Sequence, residues 1–308
     1  MMQIPSRLIS LASKALSESM DADSMVHVAK ELVYNYDLYQ RTGFRESLVI
    51  PQRDAARQIV RDMAEMGMFY PLVCILIQVH TTGFKGRIYP IAYLNEIIAQ
   101  IKESGYIYDP ENKIFVEDPG VRRSFNWGAL VGGRGYHLAF LRIDIVENSG
   151  LVRKYPEKTI RAAYSAVRKI VENSIEKRNG RIWNWEGDGG LIAFYFANKC
   201  LLATLAGMEI INELFLYNAL ANRLNEPLKV RMAIHSGFCH YSENMVEMMN
   251  SDIVKETVRI ESKYTRPDSM TISNAVCSKL DPSLLENFEA VPVDGRNNYS
   301  NYSIRLEH

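Results

Sequence analysis

Neither sign of charge is in excess: 36 Lys and Arg balance 36 Asp and Glu over 308 residues. That balance argues against a broad electrostatic platform for nucleic acid, although a local basic pocket stays compatible with it. Cysteine is sparse, with Cys74, Cys200, Cys239 and Cys277 far apart. Their spacing matches neither a zinc site nor a disulfide framework, so buried free thiols are expected. Long apolar runs are also lacking. The strongest, Phe69–Val79, is too short to span a bilayer and contains Pro71. No signal-peptide pattern is read at the start. A cytoplasmic protein with no membrane and no nucleic-acid partner is therefore the expectation. There are no internal repeats and no low-complexity segment.

What is present is a change of rhythm along the chain. Residues 1–117 are mainly helical in pattern. Apolar residues recur every three or four positions over Arg7–Ser17, Asp23–Tyr39, Arg53–Met66 and Ile91–Ser104. YIYDPENKIFVE then alternates around Asp109-Pro110-Glu111-Asn112, a hairpin signature. Helices followed by a hairpin allow a winged-helix-like unit, but the neutral charge favours a regulatory or dimerising domain. Residues 118–136, holding Pro119 and several glycines, read as a linker.

Residues 137–308 follow another order. His137–Val146 is a β-prone strand, and Thr159–Arg178 is helical with Ile160, Tyr164, Val167, Val171 and Ile175 on one face. Arg181–Trp185 and Leu191–Phe196 form a hairpin turning at Gly187–Gly190. A helix over Lys199–Leu224, a strand over Lys229–Ser236, a further element over Asp252–Lys263 and a short strand Met270–Ser273 complete the pattern. The order β-α-β-β-α-β predicts an α+β, ferredoxin-like split βαβ fold.

In that fold the first strand and the hairpin are neighbours. Asp144, in LRIDIVENSG, and Asp188, in WNWEGDGGLIAF, can then point into one crevice. Adjacent carboxylates repel unless a cation lies between them, and Mg²⁺ is the hard cation that shares its shell with phosphate oxygens. Glycines around Asp188 would let a phosphate approach the backbone. The plainer reading, a carboxylate on a glycine hairpin and another capping a helix, fits the spacing equally well.

Four segments in order resemble a class III nucleotidyl cyclase catalytic domain, the adenylyl/guanylyl cyclase superfamily. LRIDIVENS matches the family's first aspartate motif, with Glu147-Asn148-Ser149 in place of Gly-Phe-Thr. EGDGGLIAF matches its Gly-Asp hairpin, RMAIHSG its Arg-x-Gly-Ile-His-x-Gly strand, and DIVKETVRIESK its base-selecting helix. The resemblance implies two Mg²⁺ or Mn²⁺ ions per site, held by Asp144, Asp188 and the carbonyl of Ile145. It implies Arg231 as a triphosphate contact, leaves His235 structural, and aligns Arg296 loosely with a phosphate-binding loop. It also implies a homodimer, with metal ligands from one chain and base-selecting residues from the other.

The base-selecting set departs from the family. Asn184 stands where adenylyl cyclases have lysine, and Asp252 keeps their aspartate. Arg259 replaces the ribose-orienting asparagine, and Lys263 the transition-state arginine. Donors from Asn184 or Arg259 and acceptors from Asp252 complement a pyrimidine edge. Such a set resembles the pyrimidine cyclases of bacterial Pycsar antiphage defence, which make cyclic UMP or CMP for a separate effector. UTP is the expected substrate and CTP the next. An adenylate cyclase with an unusual pocket, and an inactive cyclase-fold scaffold, remain the alternatives. Strict strand alternation puts Asn184 on the face opposite Trp183 and Trp185, which line the pocket or else belong to a dimer interface or the core. A diguanylate cyclase is not expected, since EGDGG lacks that family's turn.

Overall fold

The computed structural model describes residues 4–118, 120, 121, 123–293 and 296–304. Two compact units divide the chain, Met1–Ala129 and Leu130–His308.

The first unit runs α1 (Ser6–Ser19), α2 (Ala22–Leu32), α3 (Leu38–Thr42), α4 (Gln52–Glu65), α5 (Phe69–Thr81) and α6 (Leu94–Glu103). A hairpin of β1 (Tyr106–Asp109) and β2 (Ile114–Glu117) follows. Leu8, Leu16, Met25, Ile59, Met63, Leu72 and Leu76 share its core. The helical rhythm over Asp23–Tyr39 is broken, for a local reason. The Asp37 carboxylate accepts from the backbone N–H groups of Tyr39 and Gln40 at 2.9 and 3.1 Å, which starts a new helix. The stretch read as a linker is partly folded onto this unit. Trp127 is buried, and its carbonyl accepts from the Glu117 N–H at 3.0 Å.

The second unit is built on one sheet. Its elements are β3 (Gly135–Ile145), α7 (Asn148–Lys154), α8 (Glu157–Glu176), β4 (Arg181–Glu186), β5 (Gly189–Phe194), α9 (Lys199–Leu220) and β6 (Val230–His240). Then come α10 (Met245–Met249), α11 (Asp252–Tyr264), β7 (Ser269–Ser273), α12 (Asn274–Cys277), α13 (Pro282–Leu285), β8 (Glu289–Val293) and β9 (Arg296–Ser303). The strand order is β4-β5-β3-β6-β7-β9-β8. Its first four strands, with α8 and α9 as crossovers, make the expected split βαβ arrangement. The fold is α+β. The β8–β9 hairpin was not legible in the sequence, because β9 is polar and β8 carries Pro292. A proline suits an edge strand, and the register shifts beside it.

Helices α8 and α9 cover one sheet face. Ile160, Val167, Val171 and Ile175 of α8 meet Leu141, Ile143, Ile192 and Phe194 in a single core with Ile210, Ile211 and Leu214 of α9. By length and composition α9 could cross a membrane, yet the residues on its inner face are buried in this core. Helix α11 lies on the opposite sheet face, where Ile260 packs on Ala233 and Tyr299.

A β-bulge corrects the expectation for the tryptophans. Pairing of β4 with β5 shifts between Ile182 and Asn184, so one extra residue enters the strand. Trp183 turns to the α11 side, edge-on to Phe140 and Tyr241 at 5.1 and 5.9 Å. Trp185 turns to the α8 side instead, with the Arg168 guanidinium 5.6 Å from its ring. Trp183 is thus a core residue. Trp183→Ala should lower the stability of this unit by about 3–5 kcal/mol in urea unfolding of the full chain. A change below about 1 kcal/mol would contradict its buried placement.

Candidate active site

Three strands meet where the two aspartates meet. Asp144, near the end of β3, is flanked in register by Gly189 of β5 and Arg231 of β6. Asp188 is the turn residue just before β5, and its carbonyl accepts the Ile145 N–H at 3.1 Å. Both carboxylates thus sit at one corner of the sheet. Gly187 takes φ +55°, a backbone conformation that favours glycine, and sharpens the turn. Gly189 is needed for closeness: a Cβ there would lie 2.5 Å from the Ile143 carbonyl oxygen.

The local charges do not cancel. Arg231 Nη2 donates to Asp144 Oδ2 at 3.0 Å, and Arg231 Nε stands 3.0 Å from Glu261 Oε1. Arg142 Nη2 is 4.0 Å from Asp144 Oδ1. Three carboxylates therefore face two guanidiniums, while the Asp188 carboxylate takes no hydrogen bond or ion pair among the described residues. Burial, then the nearby Asp144 charge, push the Glu261 carboxyl up, against Arg231 and Arg142. Tyr164 of α8 reports the same field. Its phenol is raised by burial and then by the charges of Asp188 and Asp144, and it donates to Asn148 Oδ1 at the head of α7.

This donor set fits a hard divalent cation. Two carboxylates next to a backbone carbonyl, all oxygen, suit Mg²⁺ or Mn²⁺ sharing its shell with a ligand's phosphates. No group of three or more His, Cys, Asp or Glu side chains able to hold a metal occurs among the described residues, so a cation here would complete its shell from water or ligand.

The remaining sequence-derived residues form a second group. Asp252 and Lys263 are exposed at opposite ends of α11. Arg259 lies between them, and its fork is occupied. Nε and Nη2 both donate to the Glu256 carboxylate at 2.7 Å, Nη2 also reaches Tyr299 Oη at 2.6 Å, and Nη1 reaches Tyr264 Oη at 3.0 Å. The two rings stack at 4.9 Å. Arg259 is thus largely engaged within the chain in this state, with four of its five N–H donors directed at Glu256, Tyr264 and Tyr299. Arg231 is likewise engaged by carboxylates rather than open to phosphate. Asn184 Nδ2 donates to Glu186 Oε1 at 2.9 Å, leaving its carbonyl oxygen outside that bond. Arg296 opens β9, and its side chain lies outside the described residues. Glu147, where the family motif has glycine, takes φ +58°. This is a left-handed conformation that residues other than glycine seldom adopt.

Sequence reading missed Arg142, Glu261 and Tyr164. Arg142 shares the Asp144 face at period two. Glu261 falls on the buried stripe of α11 with Ile253, Val254, Thr257 and Ile260. An acid on an apolar stripe was the available signal.

No protein-family model matches the chain, and no curated protein matches it. Among solved structures it is similar to the monomeric guanylyl cyclase domain of the RhoGC fusion protein from the aquatic fungus Blastocladiella emersonii. The identity there is 14%, over 56% of this chain and 98% of that one, with a TM-score of 0.44. An adenylate/guanylate cyclase/hydrolase from Silicibacter pomeroyi aligns at 18% identity, 56% and 99% coverage and TM-score 0.45. The adenylyl cyclase CyaB from P. aeruginosa aligns at 15% identity, 57% and 96% coverage and TM-score 0.45.

Two predictions follow the geometry. Gly189→Ala should cost about 1–3 kcal/mol, since the added methyl meets backbone rather than a movable side chain. An unchanged urea midpoint would contradict the close approach. His235, half-buried with Nδ1 2.9 Å from Ser273 Oγ, has its pKa lowered by burial. The unfolded chain then takes up this proton first, so stability falls as pH drops below about 6.5. His235→Gln should flatten that part of the stability–pH curve. A curve identical to wild type would refute the assignment.

Proposed function

We propose that the chain is a nucleotidyl cyclase of the class III type. It would convert a nucleoside triphosphate to the 3′,5′-cyclic monophosphate and pyrophosphate. The observation carrying this reading is the placement of Asp144 and Asp188 side by side, with a negative charge left over in the cluster. Two Mg²⁺ or Mn²⁺ ions bound there supply charge that activates the ribose 3′-hydroxyl and neutralises the triphosphate.

The chain's own residues do the positioning. Asp144, Asp188 and the Ile145 carbonyl hold the ions at the mouth of the sheet. Arg231, with a planar fork of donors, exchanges Asp144 for phosphate oxygens as the triphosphate arrives. Lys263, exposed on α11, offers a point charge to the reacting phosphate. The metal cluster and the α11 group serve complementary halves of a site, so a homodimer would complete two sites by pairing one half from each chain.

For the base, we favour a pyrimidine, UTP before CTP. The bidentate Glu256 pairing neutralises Arg259 and leaves Asn184 and Asp252 as the base readers. Asp252 accepts from uracil N3–H, and Asn184 reads a carbonyl with its amide. The cyclic product would then signal to a separate effector in antiphage defence, as the sequence resemblance implies.

The test incubates the full-length protein with Mg²⁺ or Mn²⁺ and UTP, CTP, ATP or GTP separately, with products read by mass spectrometry. Cyclic UMP or CMP is the expected result, and Asp188→Asn should fold normally yet lose product by on the order of a thousandfold. Cyclic AMP alone would replace the pyrimidine reading by an adenylate cyclase. Undiminished product from Asp188→Asn would overturn the metal assignment, and no product from any nucleotide would favour the scaffold.

A further inference from the structure

Glu261 is buried at 4% exposure, on the inner face of α11, over the strands that carry the aspartate corner. Its one ion-pair partner among the described residues is Arg231, at 3.0 Å. Arg231 in turn bonds Asp144 at 3.0 Å, so a single guanidinium is divided between a buried acid and a candidate cation ligand. The Nε–H is not directed at the Glu261 oxygen, and neither atom makes a hydrogen bond. The contact is held by charge rather than by direction, which leaves the guanidinium room to shift.

The division matters because Arg231 and a divalent cation compete for the same carboxylate. Without Glu261, the Nε edge of Arg231 loses its buried acid, and only Arg142, 4.0 Å from Oδ1, stands against a bidentate grip of the Arg231 fork on both Asp144 oxygens. That grip would exclude the cation. With Glu261 present, one edge of the fork faces the buried acid and Arg231 takes only Oδ2 of Asp144, while Arg142 stands 4.0 Å from Oδ1. When a cation claims Asp144, the guanidinium still has a counter-charge and Glu261 is not left buried and unpaired.

We propose that Glu261 is a positioning residue that acts through Arg231 to keep Asp144 available to a divalent cation. The proposal rests on reading Asp144 and Asp188 as the cation pair.

The experiment measures Mn²⁺ binding to the full-length protein without nucleotide, by electron paramagnetic resonance of free Mn²⁺. Wild type, Glu261→Gln, Glu261→Asp, Arg231→Gln, Asp188→Asn and the Arg231→Gln/Glu261→Gln double variant are compared. Circular dichroism confirms that each is folded. Glu261→Gln should weaken Mn²⁺ binding roughly tenfold, and Glu261→Asp should restore most of it. Arg231→Gln should tighten binding, and in that background the Glu261→Gln penalty should largely vanish. Should Glu261→Gln fail to fold, Glu261→Asp carries the same comparison across the two Arg231 backgrounds, with a smaller expected penalty. Wild-type affinity in both Glu261 variants would overturn the proposal. So would a full tenfold loss in the Arg231→Gln background, since Glu261 would then act by its charge alone. If wild type and Asp188→Asn bind Mn²⁺ equally, or neither binds, the cation pair itself fails and the proposal falls with it. Loss of binding in Asp188→Asn with no Glu261 effect sinks this inference only.

Discussion

Everything proposed at the aspartate corner depends on the register between β3 and β5. Asp144 opposes Gly189, and the residue before Gly189 is Asp188, whose carbonyl holds the Ile145 N–H. A slip of one residue would turn Asp144 into the α8–α9 core and bring up Ile143 or Ile145 in its place. The apolar alternation of Leu141, Ile143 and Ile145 against that core fixes the register from one side. The bare Gly189 allows the strands to close from the other. Two like charges are thereby forced together by packing elsewhere, and the resulting demand for positive charge is met only in part by Arg231 and Arg142.

Much of this corner was legible in the sequence because its causes are local. An apolar, β-prone run placed β3, a glycine turn placed the β4–β5 hairpin and Asp188, and the element order placed the strands side by side. Helical patterns covered α1, α2, α4, α6, α8 and α9. The uniformly apolar α5 and the short α7, α10, α12 and α13 were not read as helices, and the Asp37 carboxylate starts a new helix after α2. What escaped has non-local causes. The bulge in β4 inserts one residue and sends Trp183 and Trp185 to opposite faces, which no alternation rule reveals. Polar β9 becomes a strand through its pairing with β7 and β8. The engagement of Arg231 by Glu261, and of Arg259 by Glu256 and two tyrosines, depends on where α11 crosses the sheet.

The two arginines show how the same residue type is used in opposite ways. Arg259 is clamped by four contacts, including stacked tyrosines, and behaves as structure. Arg231 has two anionic partners among the described residues, one of which a cation would claim on the proposed reading, and would then serve as a movable counter-charge. On the proposed reading, Arg259 is held within the α11 group while Arg231 is left to exchange partners at the aspartate corner. That asymmetry suits a reaction in which positioning and charge neutralisation outweigh covalent chemistry.

The most direct test of the central claim is anomalous diffraction from crystals grown with Mn²⁺ and a non-hydrolysable nucleoside triphosphate. The account predicts a manganese peak between the Asp144 and Asp188 carboxylates, with Arg231 released from Asp144 toward phosphate oxygen. A peak elsewhere, or nucleotide bound with Arg231 still paired to Asp144 and no manganese beside it, would contradict it.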